Sequence, residues 1–122
     1  MKEKAITIAN GTVNIPATED IWMTQHQIAD LFECFVAKVN ANVRSILKSG
    51  VLDERKACRE HTYKNGNIVE LYGLEMIMAL SFRIKTRNAE LFRQHLMKQA
   101  VNHPKTGQIL FLGNGFGNAM LN

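Results

Sequence analysis

An α+β fold is predicted for this 122-residue chain by three features of its sequence. Two Asn-Gly dipeptides, Asn10-Gly11 and Asn65-Gly66, stand between β-prone runs, a strong hairpin signal because both residue types tolerate the positive φ of a tight turn. Residues 22 to 52 read as a short helix, a turn and a longer helix closed by Gly50, the outline of a helix-turn-helix. Two more helical stretches follow the second hairpin. A hairpin directly after the second helix of a helix-turn-helix is the order of a winged helix. The expected architecture is therefore a winged helix-turn-helix with an N-terminal β-hairpin, a wing hairpin and two closing C-terminal helices.

The first hairpin pairs the run Ala5, Ile6, Thr7, Ile8 with Thr12, Val13, Asn14, Ile15 through a type I′ turn, and Pro16 ends it. Ile21 and Trp22 form a short strand or a hydrophobic plug, with Trp22 read as a core anchor. Thr24 precedes Ile28, Ala29, Leu31 and Phe32, where its hydroxyl can accept bonds from unpaired helix-start amides, so the first helix begins near Gln25. After Glu33 and Cys34 the period resumes at Val36, Val39, Val43, Ile46 and Leu47, all on one face at about 100° per residue. Gly50 supplies a left-handed stop.

The opposite face of this second helix carries Ala37, Ala41, Arg44, Ser45 and Lys48, flanked by Lys38 and Asn40, and no acidic residue lies between Cys34 and Val51. Small residues allow close approach to a duplex, Asn pairs with N6 and N7 of adenine, and Lys and Arg neutralise phosphates. Asn40 is thus the candidate base contact, Lys38, Arg44 and Lys48 the backbone contacts, and Ala41 and Ser45 their neighbours. Thr24 and Gln25, at the start of the first helix, join them as candidate DNA contacts. An amphipathic helix with a merely solvated polar face shows the same periodicity; the hairpin that follows is what favours DNA.

That hairpin is expected from Ala57 to Tyr63 and Ile68 to Tyr72, after a polar loop at Asp53 to Lys56. Lys64 at its tip, with Arg59 and His61 on its first strand, offers phosphate or minor-groove contacts. Leu74 to Ile84 reads as a mostly buried helix closed by the cations Arg83, Lys85 and Arg87. Thr86 caps a last helix from Arg87 to Val101 with a core stripe of Ala89, Phe92, Leu96 and Ala100, and Pro104 ends it. Asn88, Arg93, Gln94 and Lys98 lie off the stripe and read mostly as solvated surface. Leu91, Met97 and Val101 also lie off it and, with the apolar edge Ile109 to Leu112 of the tail, suggest a homodimer contact, the alternative being that they widen the core face. Residues 106–122 form a Gly-rich apolar tail beyond a domain at 1–105; its Gly-Asn-Gly-Phe-Gly lacks the strand, helix and acid of a phosphate-binding fingerprint.

Composition narrows the partners. The net charge is +4, and the cation excess lies after residue 73, where Lys and Arg number 6 against 2 acidic residues, in Arg83, Lys85, Arg87, Arg93, Lys98 and Lys105. Two cysteines, Cys34 and Cys58, with no CxxC spacing and no secretory signal in evidence, point to reduced thiols in a cytoplasm. No apolar run is long enough to span a bilayer. His26, His61, His95 and His103 are scattered over separate elements, and no nucleophile-base spacing stands out, so no enzyme, cofactor, metal or small-molecule substrate is called for.

The residues Trp22-Met23-Thr24-Gln25, Gln27-Ile28-Ala29 and Leu31-Phe32, continuing through Val43, Ile46 and Gly50-Val51-Leu52, resemble the start of the RhuM-type virulence-island family. The likeness returns at Tyr72, Leu74, Ile77, Phe82-Arg83-Ile84 and Phe92-Arg93, and spans roughly residues 5 to 101. It implies a DNA-binding domain at the head of a longer bacterial or mobile-element protein, of which this chain would be a partial member. Where the family has a Gly-Val-Ser-type turn this chain has Glu33-Cys34-Phe35, so the serine cap of the second helix is missing. The expected function is non-catalytic, regulatory binding of double-stranded DNA as a homodimer; a protein-protein interaction module with the same fold is the alternative.

Overall fold

The computed structural model describes residues 5–17 and 20–102, and these form an α+β unit of five helices and two small antiparallel sheets. The first sheet is the N-terminal hairpin, β1 (Thr7–Ala9) against β2 (Thr12–Asn14), in the register Thr7 to Asn14, Ile8 to Val13 and Ala9 to Thr12. Asn10 and Gly11 have φ of 52° and 76°, the two positive values that a type I′ turn requires. Ile6, just before it, is buried, with Ile8 and Val13 packed on the edge of the core.

β3 (Trp22–Met23) leads into α1 (Gln25–Phe32). Thr24 is the N-cap as expected: its Oγ1 accepts from the Gln27 amide at 3.1 Å, while the Gln27 side chain accepts from the Thr24 amide at 2.8 Å. Glu33 ends α1 in the left-handed conformation with φ 56°. α2 (Val36–Ser49) then runs to Gly50, which stops it at φ 79°. Val39, Val43 and Ile46 are buried, with Val36 and Leu47 half-buried beside them, as the period predicts.

Asp53 to Lys56 is not a loop. Asp53 caps the short α3 (Glu54–Ala57) by accepting from the Arg55 amide at 3.0 Å, and Ala57 therefore belongs to this turn of helix rather than to the next strand. β4 (Cys58–Thr62) and β5 (Ile68–Gly73) form the second hairpin, and β3 adds to β5 as the third strand of the sheet, in the order β3-β5-β4. The turn differs from that of the first hairpin. Gly66 has φ 92° but Asn65 does not have a positive φ, and Tyr63 donates to Asn67 at 2.8 Å while accepting from Gly66 at 2.9 Å. The loop is thus three residues, Lys64 to Gly66, with glycine in the left-handed position.

α4 (Leu74–Ser81) is buried along nearly its whole length because α2, α3, β5 and α5 surround it. It ends at Ser81 rather than Ile84: the Arg83 and Ile84 amides both turn back to the Leu80 carbonyl, at 2.9 and 3.0 Å, which seats the Ile84 side chain in the core. The cation at this helix end is not Arg83, Lys85 or Arg87. Arg93, from α5 (Arg87–Asn102), donates from Nη1 to the Ser81 carbonyl and, at 3.0 Å, to the Ile84 carbonyl. Arg93 is therefore structural rather than solvated, and so is Asn88, whose Nδ2 donates to the Leu31 carbonyl at 2.8 Å.

Thr86 caps α5 as expected, accepting from the Ala89 amide at 3.2 Å, and donates to the Phe32 carbonyl at 2.6 Å. Ala89, Phe92 and Leu96 are buried, and Phe92 meets Phe32 edge-on with ring centroids 5.6 Å apart. These contacts fasten the start of α5 to the end of α1. The tail at 106–122, together with His103, Pro104 and Lys105, lies outside the described residues. No helix among the described residues is long and apolar enough to cross a membrane.

Candidate nucleic-acid interface

The residues singled out in the sequence divide into those on one exposed surface and those tied into the fold. Lys38, Ala41, Arg44, Ser45 and Lys48 are all exposed or half-exposed on α2, with Ala37 among them. At about 100° per residue Ala37, Ala41, Arg44 and Lys48 form its outward centre line, Ser45 and Lys38 lie toward one edge, and Asn40 lies at the other. Lys38, Arg44 and Lys48 form no ion pair among the described residues. The surface is a stripe of unneutralised positive charge.

The Asn40 edge is anchored to the second hairpin. Gln25 Nε2 donates to Asn40 Oδ1 at 3.1 Å and to the Tyr72 hydroxyl at 3.0 Å, and that hydroxyl donates to Glu70 Oε1 at 3.0 Å. Burial pushes the Tyr72 phenol up to about 12, with the bond from Gln25 working against the rise and the nearby Glu70 reinforcing it. Gln25 and Asn40 are half-buried and bonded to each other, so the amide oxygen with which Asn40 would meet adenine already accepts one bond, from Gln25. Thr24 is likewise occupied by its capping bonds.

The other edge gains a cation that sequence reasoning does not assign to it. Arg83, after α4, donates from Nη1 to Ser45 Oγ at 2.8 Å. Its 38-residue separation from Ser45 leaves no local signal, although its place in a basic cluster is visible. Lys85 and Arg87 line an open depression of ≈ 620 Å³ between the end of α4 and α5, where Arg87 pairs with Glu90 at 3.3 Å.

On the hairpin, strand alternation sorts the charges. The register pairs Arg59 with Leu71 and His61 with Val69 on one face, and Glu60 with Glu70 on the face shared with Tyr72. Arg59 lies over the Trp22 ring, 4.1 Å from its centroid, and reaches Asp20 Oδ1 at 3.6 Å. Trp22 is accordingly a half-buried platform on the sheet, its Nε1 donating to Asp20 Oδ1 at 3.0 Å, rather than a core anchor. His61 meets Tyr63 edge-on at 5.0 Å, and Lys64 is exposed at the tip. The tip and the outer face therefore hold the cations, while the face toward Tyr72 is acidic.

The start of α2 has one further feature. Phe35 occupies the N-cap with φ −77° and ψ 147°, offers no side-chain acceptor, and is 85% exposed. The missing serine cap is thus a fact of the fold, and no acidic residue stands in the first turn to replace it. Cys34, beside it, and Cys58 are free thiols. Burial pushes the Cys58 thiol up to about 11, with Glu70 and Glu54 adding to the rise, so neither the acidity nor the exposure of a reactive thiol is present there. Among the described residues no three of His, Cys, Asp and Glu gather as metal ligands would.

Comparison with known proteins adds no relative: no family model, curated protein or solved structure matches this chain.

Proposed function

We propose that this chain is a winged helix-turn-helix module that binds double-stranded DNA without catalysis, in a regulatory role of mobile-element or virulence-island type. The observation that carries the reading is the exposed stripe of α2. Lys38, Arg44 and Lys48 stand there without ion-pair partners among the described residues, between the edge that Gln25 links to the second hairpin and Arg83 on the other. In this reading α1 and α2 are the helix-turn-helix, α2 enters the major groove and β4–β5 is the wing, touching backbone with Lys64, His61 and Arg59. Arg83 joins Arg44 and Lys48 as a phosphate contact. Ala37 and Ala41 let the α2 backbone approach the groove floor. Gln25 links Asn40 on this helix to Tyr72 of the wing, and Asn40 remains the candidate base contact at that edge.

A cytoplasmic setting follows from DNA as the partner. The sequence resemblance to the RhuM-type family supplies the mobile-element part of the proposal. One observation favours a second reading, a protein-protein interaction module without DNA binding: α5 exposes Met97 and Val101, by 36% and 77%. In the DNA reading the same residues serve a homodimer. A fluorescence anisotropy titration with random-sequence duplex DNA at two salt concentrations separates the two. Binding that weakens steeply with salt supports the DNA module; no binding at the lower salt concentration leaves the interaction module.

A further inference from the structure

Glu70 is not accounted for by the hairpin that carries it. The register sets it directly opposite Glu60, a like-charge pair that weakens the pairing of two strands, and both residues are exposed. What its carboxylate does hold is the Tyr72 hydroxyl, at 3.0 Å, and from there a chain of bonds runs through Gln25 to Asn40 on the edge of α2. The direction of every bond in that chain is set from the Glu70 end. An ionised carboxylate only accepts, so the single hydroxyl proton of Tyr72 goes to Glu70, and the group of Gln25 that meets this hydroxyl at 3.0 Å has to be the donor, Nε2. The same nitrogen lies 3.1 Å from the Asn40 amide, so the Asn40 atom facing it is the acceptor, Oδ1. Asn40 Nδ2 is left as the end of that amide which donates to nothing among the described residues.

We propose that Glu70, acting through Tyr72 and Gln25, is a positioning residue that fixes the Asn40 amide with its NH2 group toward DNA, so that Asn40 reads guanine rather than adenine. The inference rests on the DNA reading above and deepens it by naming the base. A freely turning asparagine amide suits adenine, giving a bond to N7 and taking one from N6. With Oδ1 held by Gln25, the NH2 group suits a base edge made of acceptors alone, and in the major groove guanine offers two, O6 and N7. Asn40 is placed for this, one helical turn from both Ala37 and Arg44 of the outward line of α2.

The test uses the full 122-residue chain and the duplexes that it enriches from a random pool. Asn40→Ala identifies the position that Asn40 reads, as the one where base preference is lost. At that position the wild-type chain should bind guanine about tenfold more tightly than adenine, the worth of one good base contact. Glu70→Gln should bring the ratio close to one, because a glutamine amide can give a proton to the Tyr72 hydroxyl as well as take one, and the chain of bonds is then free to reverse. Removing the Glu70 charge raises affinity for both duplexes alike, so the ratio reports the amide and not the charge. Tyr72→Phe, which breaks the chain one bond further on, should act in the same way, and circular dichroism melts confirm that the variants are folded. An adenine preference at the Asn40 position, no position that depends on Asn40, or a guanine preference kept by Glu70→Gln overturns the inference while DNA binding stands. No binding of any duplex at low salt removes the DNA reading itself, and this inference with it.

Discussion

Gln25 holds Asn40 and Tyr72 with a single amide nitrogen, at 3.1 and 3.0 Å, and so ties the start of α1 to the middle of α2 and to β5. Residues 15 and 47 positions away in sequence are fixed by one side chain. This explains how the hairpin and the exposed stripe of α2 keep one relative orientation. Gln25→Ala is expected to cost about 1–3 kcal/mol of stability, because it leaves half-buried acceptors on Asn40 and Tyr72 without their donor. Urea unfolding measures it; an unchanged midpoint would show that water replaces the Gln25 amide at no cost.

Arg93 should matter for stability and not for DNA. Its guanidinium donates to the Ser81 and Ile84 carbonyls where α4 ends, so Arg93→Met is expected to destabilise the fold by about 1–3 kcal/mol through the orphaned carbonyls. The salt dependence of DNA affinity should stay as in the wild type. A drop of about one unit in that slope would instead make Arg93 a phosphate contact.

Alkaline pH should weaken the fold. Burial raises the folded-state pKa of Cys58 to about 11 and of Tyr72 to about 12, from ordinary values of 9.0 and 10.0. For a raised pKa the stabilising protonated form is intact below the unfolded value and is lost as pH climbs through the folded one. Stability is therefore fully present below pH 9 and falls from there toward pH 12. Melting temperatures across that range check it, with Tyr72→Phe flattening the upper part of the decline; a profile flat to pH 12 would contradict the burial of both groups.

Self-association should run through α5. Met97 and Val101 are exposed there, and two copies would set two α2 helices on one duplex about one helical turn apart. Sedimentation at micromolar concentration is expected to show a dimer that Val101→Lys converts to monomer. A single 13.8 kDa species for the unaltered chain would rule this out.

Local signals make most of the elements legible in the sequence. Thr24, Gly50, Thr86, the Asn10-Gly11 pair and Gly66 mark boundaries through chemistry that acts within a few residues, and each sits where that chemistry requires, whereas Asn65 does not take the positive φ expected of it. The misreadings involve partners far along the chain. Arg93 reads as surface because the carbonyls it holds belong to another helix end, and the bond from Gln25 to Asn40 leaves no local trace because only folding brings the two together. The short α3 is hidden because four residues are too few to show a period, although Asp53 before it is a good cap.

The salt dependence of DNA binding by the double variant Arg44→Ala, Lys48→Ala tests the central claim most directly. Removing one phosphate-binding side chain lowers the slope of log affinity against log salt by about one unit, so the variant should fall about two units below the wild type while melting at the same temperature. A double variant that keeps the wild-type affinity and slope would contradict the account, because α2 would then not be the surface that meets DNA.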